Sequence, residues 1–542
     1  MWPLRPVDEN AVAGLTAATR LTPLFARLLW LRGARDPDAA ARWLEPKLTD
    51  LHPSELLPDF EPAVERTLRA ITDREPILVW GHDDLDGVSA VAVLKLVIGH
   101  LQGRVSYHIP TRGRDKHGLD ADTAAAILDG SGLIITVDCG ITNREDIARL
   151  AQRGVDVVVT DHHELPDGLP PALASVDPKR SDSGYPYRGL AGVGVALKFA
   201  LGLARRRLGL GVEEFWSAER DAVALAVLGT IADRVPLTGE NRTLVACGIG
   251  RLHECRLPAV RAVFARLDCT EARGRYAPLA ALPRLLPLFA AADGVSAVGR
   301  LLEADAASAA EWVEELEERA RAWQAEAEAA WELAQTIARV GDGLVVIKDR
   351  RMSLRALGYC AARLRHSYRL PAVVMGWRGD AWVGECRGAE GMSLIDLLSA
   401  HRECFVDYGG HRLAAGFTID DERAEEFILA AERYAHENFA REVAVDDREF
   451  ADAVLPLAQF EPELRRLAPF GEGNPRPLFI SEPTRLVDGG RYWSAETRPG
   501  LPLYPERAGL IPDMANVRLL YTVGDRGEAL IRDSRPVASA GA

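Results

Sequence analysis

The sequence predicts a multidomain α/β protein: a parallel-sheet domain, a long connecting helix, a second α/β domain and a small β domain at the C-terminus. Three observations lead there. The β-branched runs Ile77-Leu78-Val79-Trp80, Leu133-Ile134-Ile135-Thr136-Val137 and Val157-Val158-Val159-Thr160 alternate with helical stretches, and such short apolar runs read as buried parallel strands. From Leu301 to Val340 there is neither Gly nor Pro, and Ala, Glu and Arg dominate, which reads as one helix of ~60 Å. Beyond residue 446, many Pro and Arg separate short apolar pieces such as Val517-Arg518-Leu519-Leu520-Tyr521, the texture of a small β domain.

In chain order, residues 1–70 read as helices. Asp36-Pro37-Asp38 opens one, and Ala63 to Ile71 has helical spacing. Residues 71–300 are expected to form the first α/β domain, with a helix over Gly87 to Val97 and a helical, Pro-punctuated end from 251 to 300. The 301–340 helix is expected to connect two domains; a coiled-coil arm is the competing reading. Residues 341–445 form the second α/β domain, with strands at Gly343-Leu344-Val345-Val346-Ile347 and Ala372-Val373-Val374-Met375. Residues 446–542 form the β domain, and Val537 to Ala542 are expected to be a disordered tail. No internal repeat is visible.

Bulk properties narrow the function. A chain of 542 residues is too long for one core. No run approaches ~18 apolar residues, and the N-terminus has no apolar signal core, so a cytoplasmic protein with no membrane span is expected. Seven scattered cysteines, an odd number without paired spacing, argue against a disulfide framework or a zinc module. The net charge of −14 does not mark a nucleic-acid binder. Any nucleic-acid path must be a local basic groove.

The strand candidates end in reactive groups. The first runs into Gly81-His82-Asp83-Asp84-Leu85-Asp86-Gly87, the second into Asp138-Cys139-Gly140, the third into Asp161-His162-His163. Asp233 follows Gly229-Thr230-Ile231-Ala232, read as a small apolar turn after a helix. Loops at the carbonyl ends of parallel strands are where such folds build sites. Asp84 and Asp86, two apart in extended chain, are expected to face the same side; helix capping by Asp86 competes with that reading. Carboxylates crowded into one cleft repel and raise one another's pKa, and a divalent cation removes the conflict. Aspartates with a few histidines and no thiolate suit Mn²⁺ or Mg²⁺. Shared carboxylates suit two ions, a device for in-line attack on a phosphodiester. Of His162 and His163, one ring can bind metal while its neighbour contacts the scissile phosphate or the leaving oxygen. Asp161 orients a histidine. Arg387 offers a bidentate guanidinium for a phosphate. Gly409-Gly410 lets backbone N–H groups approach an anion, with His411 as a further donor; a glycine turn closing a hairpin is the alternative.

Taken in order, Asp84-x-Asp86-Gly87, Asp138, Asp161-His162-His163 and Gly229-Thr230-Ile231-Ala232-Asp233 resemble the DHH phosphoesterases, and among them the bacterial single-strand-specific exonucleases. Further stretches share the resemblance: Tyr185-Pro186, Leu190-Ala191-Gly192-Val193-Gly194-Val195-Ala196, Val235-Pro236-Leu237 with Asn241-Arg242, Gly409 to Phe417, and Pro469 to Pro475. The resemblance implies a DHH domain followed by a DHH-associated domain, with an OB-fold over residues 446–542. It implies two divalent ions, Mn²⁺ preferred and Mg²⁺ accepted, on His82, Asp84, Asp86, Asp138, His162 and Asp233. Asp138 would bridge them. His163 would face the phosphate, making His163, Asp138 and Asp161 the catalytic set. Arg112, in Ile109-Pro110-Thr111-Arg112, would contact the strand end together with Arg387, Gly409, Gly410 and His411. The implied activity is 5′ to 3′ hydrolysis of single-stranded DNA to mononucleotides in repair and recombination. The implied partners are single-stranded DNA, a single-strand-binding protein and a repair helicase, with the chain a monomer.

Three departures from that family matter. His82 stands where a third aspartate is usual. Glu385 replaces a serine two residues before Arg387, where a carboxylate opposes a terminal phosphate unless Arg387 or Arg112 neutralises it. Asp349-Arg350-Arg351-Met352-Ser353-Leu354 replaces a Trp-containing helix start. Two rival readings are a phosphodiesterase for short oligonucleotides or cyclic dinucleotides, and a non-catalytic scaffold. The flanking domains argue against the first, and retention of Asp84, Asp86, Asp138, His162 and Asp233 argues against the second.

Overall fold

The structure, a computed structural model, describes residues 2–111, 118–129, 132–165, 168–266, 294–341, 343–389, 392–410, 412–438, 450–488, 492–506, 516–524 and 526–537. Arg112, His411, residues 267–293 of the expected helical stretch and residues 538–542 of the expected tail lie outside them. The chain divides into two compact units. The first comprises residues 1–162, 169–313 and 448–542; the second comprises 163–168 and 314–447.

The first unit is built on a five-stranded, wholly parallel sheet. Its strands are β1 (Ile77–Trp80), β2 (Val105–His108), β3 (Leu133–Val137), β4 (Asp156–Thr160) and β5 (Ala174–Val176), in the order β2-β1-β3-β4-β5. Every residue of β1, β3 and β5 is buried. These are the β-branched runs of the sequence, apolar because helices cover both faces of a parallel sheet. Helices Leu85–His100, Gly192–Leu208 and Arg220–Ala232 pack as one group, and Ala121–Leu128 packs with Arg144–Gln152 as another. The carbonyl ends of β1, β3 and β4 therefore share one rim.

The second unit holds a six-stranded mixed sheet: β6 (Arg339–Val340), β7 (Val345–Lys348), β8 (Ala372–Trp377), β9 (Trp382–Arg387), β10 (Phe405–Gly410) and β11 (Ala414–Ile419), ordered β10-β11-β9-β8-β7-β6. Only β7 and β8 run parallel. One face packs Val373, Met375, Phe417 and Phe427 into a core, and the other packs Val374, Ile347 and Leu364.

The helix expected from Leu301 to Val340 is two helices, Gly294–Glu303 and Ala306–Ile337. Asp305 ends the continuity: its carboxylate accepts from Ser308 N at 2.8 Å and so starts a new helix.

The C-terminal β domain is a small barrel. Its strands are β12 (Ala453–Val454), β13 (Phe479–Ile480), β14 (Thr484–Asp488), β15 (Trp493–Ala495), β16 (Arg498–Pro505), β17 (Asn516–Val523) and β18 (Ala529–Pro536). Pairing runs β17-β14-β15-β16-β18 and closes from β18 back to β17, with β16 and β18 parallel. A closed five-stranded ring of this kind is the OB-like architecture. Residues 1–70 are not an independent core. Phe25, Leu28, Leu29 and Trp43 join Leu457, Phe460, Phe479, Tyr521 and Ile531 in a single apolar cluster. The two stretches reach it from opposite ends of the chain.

Candidate metal centre

β1 ends at Trp80, and the chain turns helical at Leu85, after an extended Asp84. Asp84 caps helix Leu85–His100 by accepting from Gly87 N at 3.0 Å, and Asp86 already lies in that helix. The expectation that Asp84 and Asp86 share one side as strand neighbours is therefore corrected. A helix turns successive side chains by about 100°, and the two carboxylates serve different groups. Likewise Gly229–Ala232 is the last turn of helix Arg220–Ala232, with Asp233 at its C-terminal cap.

The ligand atoms fall into groups within 4.8 Å of one another: two that share no residue, His82, Asp84 and Asp138, and Asp86, His162 and Asp233, and a third, Asp138, His162 and His163, that overlaps both. Asp138 stands between the first two. Its Oδ1 is 3.1 Å from His162 Nε2, and its Oδ2 is 3.9 Å from His82 Nδ1. His82 Nδ1 is also 3.3 Å from Asp84 Oδ2. Asp138 follows β3 with φ of 56°, a left-handed conformation costing on the order of 1 kcal/mol for a residue with a Cβ. That turn lets its backbone N donate to Thr160 O while its side chain sits between the two groups.

The chemistry of the donor set fits a cation. His162 Nδ1 lies 3.0 Å from the Leu190 carbonyl. A carbonyl only accepts, so Nδ1 carries the proton and Nε2 presents a lone pair toward Asp138. A lone pair facing a carboxylate oxygen at 3.1 Å needs a proton or a metal between them. Burial, then repulsion from Asp86, Asp84 and Asp233, holds the Asp138 carboxyl well above the usual carboxylate range. Burial and the same two neighbours, Asp86 and Asp84, push Asp233 up as well. Asp233 keeps some surface, but its Oδ2 is buried with no hydrogen-bond partner among the described residues. A divalent ion satisfies both carboxylates at once.

Asp161 behaves differently from the ligands. Its carboxylate accepts from Ile141 N at 3.0 Å and from His162 N at 2.7 Å, tying the loop after β3 to the loop after β4. It is absent from all of the ligand groups. His163, next in the chain, is half-buried and opens the segment 163–168 that belongs to the second unit.

One support had no role assigned from sequence. Helix Gly192–Leu208 has no side-chain cap of its own. Its first amides, Gly192 N and Val193 N, instead donate to Asp86 at 2.7 and 2.9 Å. A helix N-terminus favours a carboxylate, which holds Asp86 in place. A Cβ at residue 192 would sit 2.6 Å from Asp138 Cβ and Oδ1, so only glycine admits this approach. The readable signal was an apolar helix start, Ala191-Gly192-Val193, with no capping side chain. Asn241 and Arg242 are buried as well. Arg242 donates to the carbonyls of Trp43, Leu467 and Ala468, fastening the sheet domain to the N-terminal helices and to the segment leading into the barrel.

The predicted strand-end residues of the second unit lie on its sheet. Glu385 and Arg387 sit on β9 and pair with each other, Arg387 Nη1 to Glu385 Oε2 at 2.8 Å. Gly409 and Gly410 are the last residues of β10, opposite Gly416 and Ala415. They are rungs of a hairpin ladder.

Comparison with known proteins agrees with this geometry. Residues 76–230 match the DHH family, N-terminal domain. The single-stranded-DNA-specific exonuclease RecJ of Dickeya dadantii is 31% identical, covering 85% of this chain and 83% of that protein. RecJ of Bacillus subtilis is 30% identical over 90% of this chain, which spans 62% of that longer protein. The crystal structure of Thermus thermophilus RecJ in complex with Mn²⁺ aligns with a TM-score of 0.78 at 27% identity, covering 99% of this chain and 79% of that one.

Proposed function

The chain belongs to the RecJ family of single-stranded-DNA-specific exonucleases, and from that footing we propose that it hydrolyses single-stranded DNA from the 5′ end, releasing mononucleotides. The observation that carries the reading is Asp138, buried between two groups of ligand atoms. His82, Asp84 and Asp138 would hold one divalent ion, and Asp86, His162, Asp233 and Asp138 a second, with Mn²⁺ preferred over Mg²⁺. Such ions supply charge neutralisation for in-line attack at phosphorus.

The chain's own groups do the positioning. Leu190 O keeps the proton on His162 Nδ1 and so turns the Nε2 lone pair toward Asp138. Asp161 locks the loops that carry Asp138 and His162. His163, directly after a ligand, is the residue proposed to contact the scissile phosphate. Arg387, Gly409, Gly410, Arg112 and His411 are proposed to bind the strand, and the OB-like barrel offers a common single-strand-binding architecture. Glu385 already neutralises Arg387, so a 5′-terminal phosphate would meet a spent cation, and a weak preference for 5′-phosphate is expected. Repair and recombination are the proposed setting. A single-strand-binding protein and a repair helicase are the proposed partners of a monomer. No helix among the described residues is long and apolar enough to cross a membrane.

The test is digestion of single strands labelled at the 5′ or the 3′ end, with and without Mn²⁺. Metal-dependent release of a labelled mononucleotide at once from the 5′-labelled strand, and late from the 3′-labelled one, is expected. Equal action on duplex, or cleavage confined to oligonucleotides of a few residues, would overturn the reading.

A further inference from the structure

Asn241 is the third residue of helix Gly239–Glu254 and is fully buried, yet it is 8 residues beyond the last ligand, Asp233, and touches none of them. Its side chain joins two loops. Nδ2 donates to Gly189 O at 2.5 Å and reaches Pro236 O at 3.1 Å and Tyr187 Oη at 3.2 Å. Tyr187 Oη itself donates to Pro236 O at 3.2 Å. The amide's Oδ1 is buried with no hydrogen-bond partner among the described residues. The partners on Nδ2 include two backbone carbonyls, which only accept, so the orientation of the amide follows from its surroundings.

The two loops are the ones that position the ligands. Gly189 directly precedes Leu190, whose carbonyl sets the His162 tautomer, and it stands three residues before Gly192, whose amide holds Asp86. Pro236 stands three residues after Asp233. A shift of the Gly189 peptide moves the Leu190 carbonyl, and with it the His162 ring. We propose that Asn241 is a positioning residue for the second cation group, clamping the 187–190 and 234–236 loops so that His162 Nε2, Asp86 and Asp233 converge. The inference rests on the cation reading above and adds a residue to it.

The experiment uses the full-length protein and Mn²⁺ alone. Calorimetric titration gives the Mn²⁺ dissociation constant for wild type, Asn241→Ala and Asn241→Asp. The Asp variant keeps the shape but sets a carboxylate against two carbonyls. Both variants should weaken Mn²⁺ at least tenfold, the usual cost of losing a support of a metal-ligating histidine. Raised Mn²⁺ should restore much of the lost turnover. If either variant fails to fold, Asn241→Ser replaces it with a smaller loss. Arg242→Lys separates positioning from general loosening. It removes ties to Trp43, Leu467 and Ala468, so it should lower Tm while leaving the Mn²⁺ constant within about twofold of wild type. Equal Mn²⁺ affinity in wild type and the Asn241 variants overturns the proposal alone. Equal weakening by Arg242→Lys also overturns it. A wild type that binds no Mn²⁺ overturns the cation reading with it.

Discussion

At the scale of single residues, the site is a problem of charge that the protein leaves unsolved without a cation. Asp138 is 2% exposed and faces His162 on one side and His82 on the other. Asp138→Ala should abolish hydrolysis, by about 10³-fold or more, since neither of the two proposed ions would then be held. Metal-free Tm should stay level or rise, because the change removes a buried carboxyl held above its ordinary range. A variant retaining a tenth of the wild-type rate at saturating Mn²⁺ would disprove the shared role. His82→Asp adds a charge to the group with Asp84, 3.3 Å away. The Mn²⁺ concentration for half-maximal activity should fall; an unchanged value would put His82 outside the coordination sphere. Apart from Asp233, which ends a helix, the candidate ligand residue types were readable from sequence because they follow β-branched strands. Their division into two groups was not, because it depends on the chain becoming helical at Leu85.

At the scale of elements, a helix start does the work of a side chain. Gly192–Leu208 brings its first amides to Asp86 across more than a hundred residues of sequence. Gly192→Ala places a methyl 2.6 Å from Asp138 and forces the helix start to recede. The expected result is loss of Mn²⁺ binding by calorimetry and a destabilisation of about 2 kcal/mol or more, in the range of core overpacking. Gly194→Ala, two residues on, meets its nearest neighbour, Leu190 Cδ2, at 3.4 Å and should be close to wild type. Similar losses in both would point to helix distortion rather than to the Asp86 contact. The expected long helix shows the limit of composition. Ala, Glu and Arg set helical propensity from Leu301 onward, but one aspartate able to cap its own successor divides it at Asp305.

At the scale of the whole molecule, proton and metal binding are linked. Asp138 and Asp233 have folded-state pKa values raised above those of an unfolded chain. At these two carboxyls the metal-free folded state holds more protons than the unfolded state, and the stability they contribute is lost as pH rises through the raised values. Mn²⁺ displaces those protons, so its stabilising effect grows with pH. The shift in Tm on adding Mn²⁺ should be small near pH 5 and larger near pH 8; a constant shift would refute the linkage. Much of this molecule was determined by sequence alone. β-Branched runs specify buried strands wherever they stand, and aspartate and histidine at their ends carry their chemistry with them. The pairing of the first helices with the last barrel, the Arg242 ties, and the Asn241 clamp were decided only in three dimensions. Each depends on a backbone carbonyl or amide brought near by folding. Every residue carries those groups alike, so no pattern of side chains announces them.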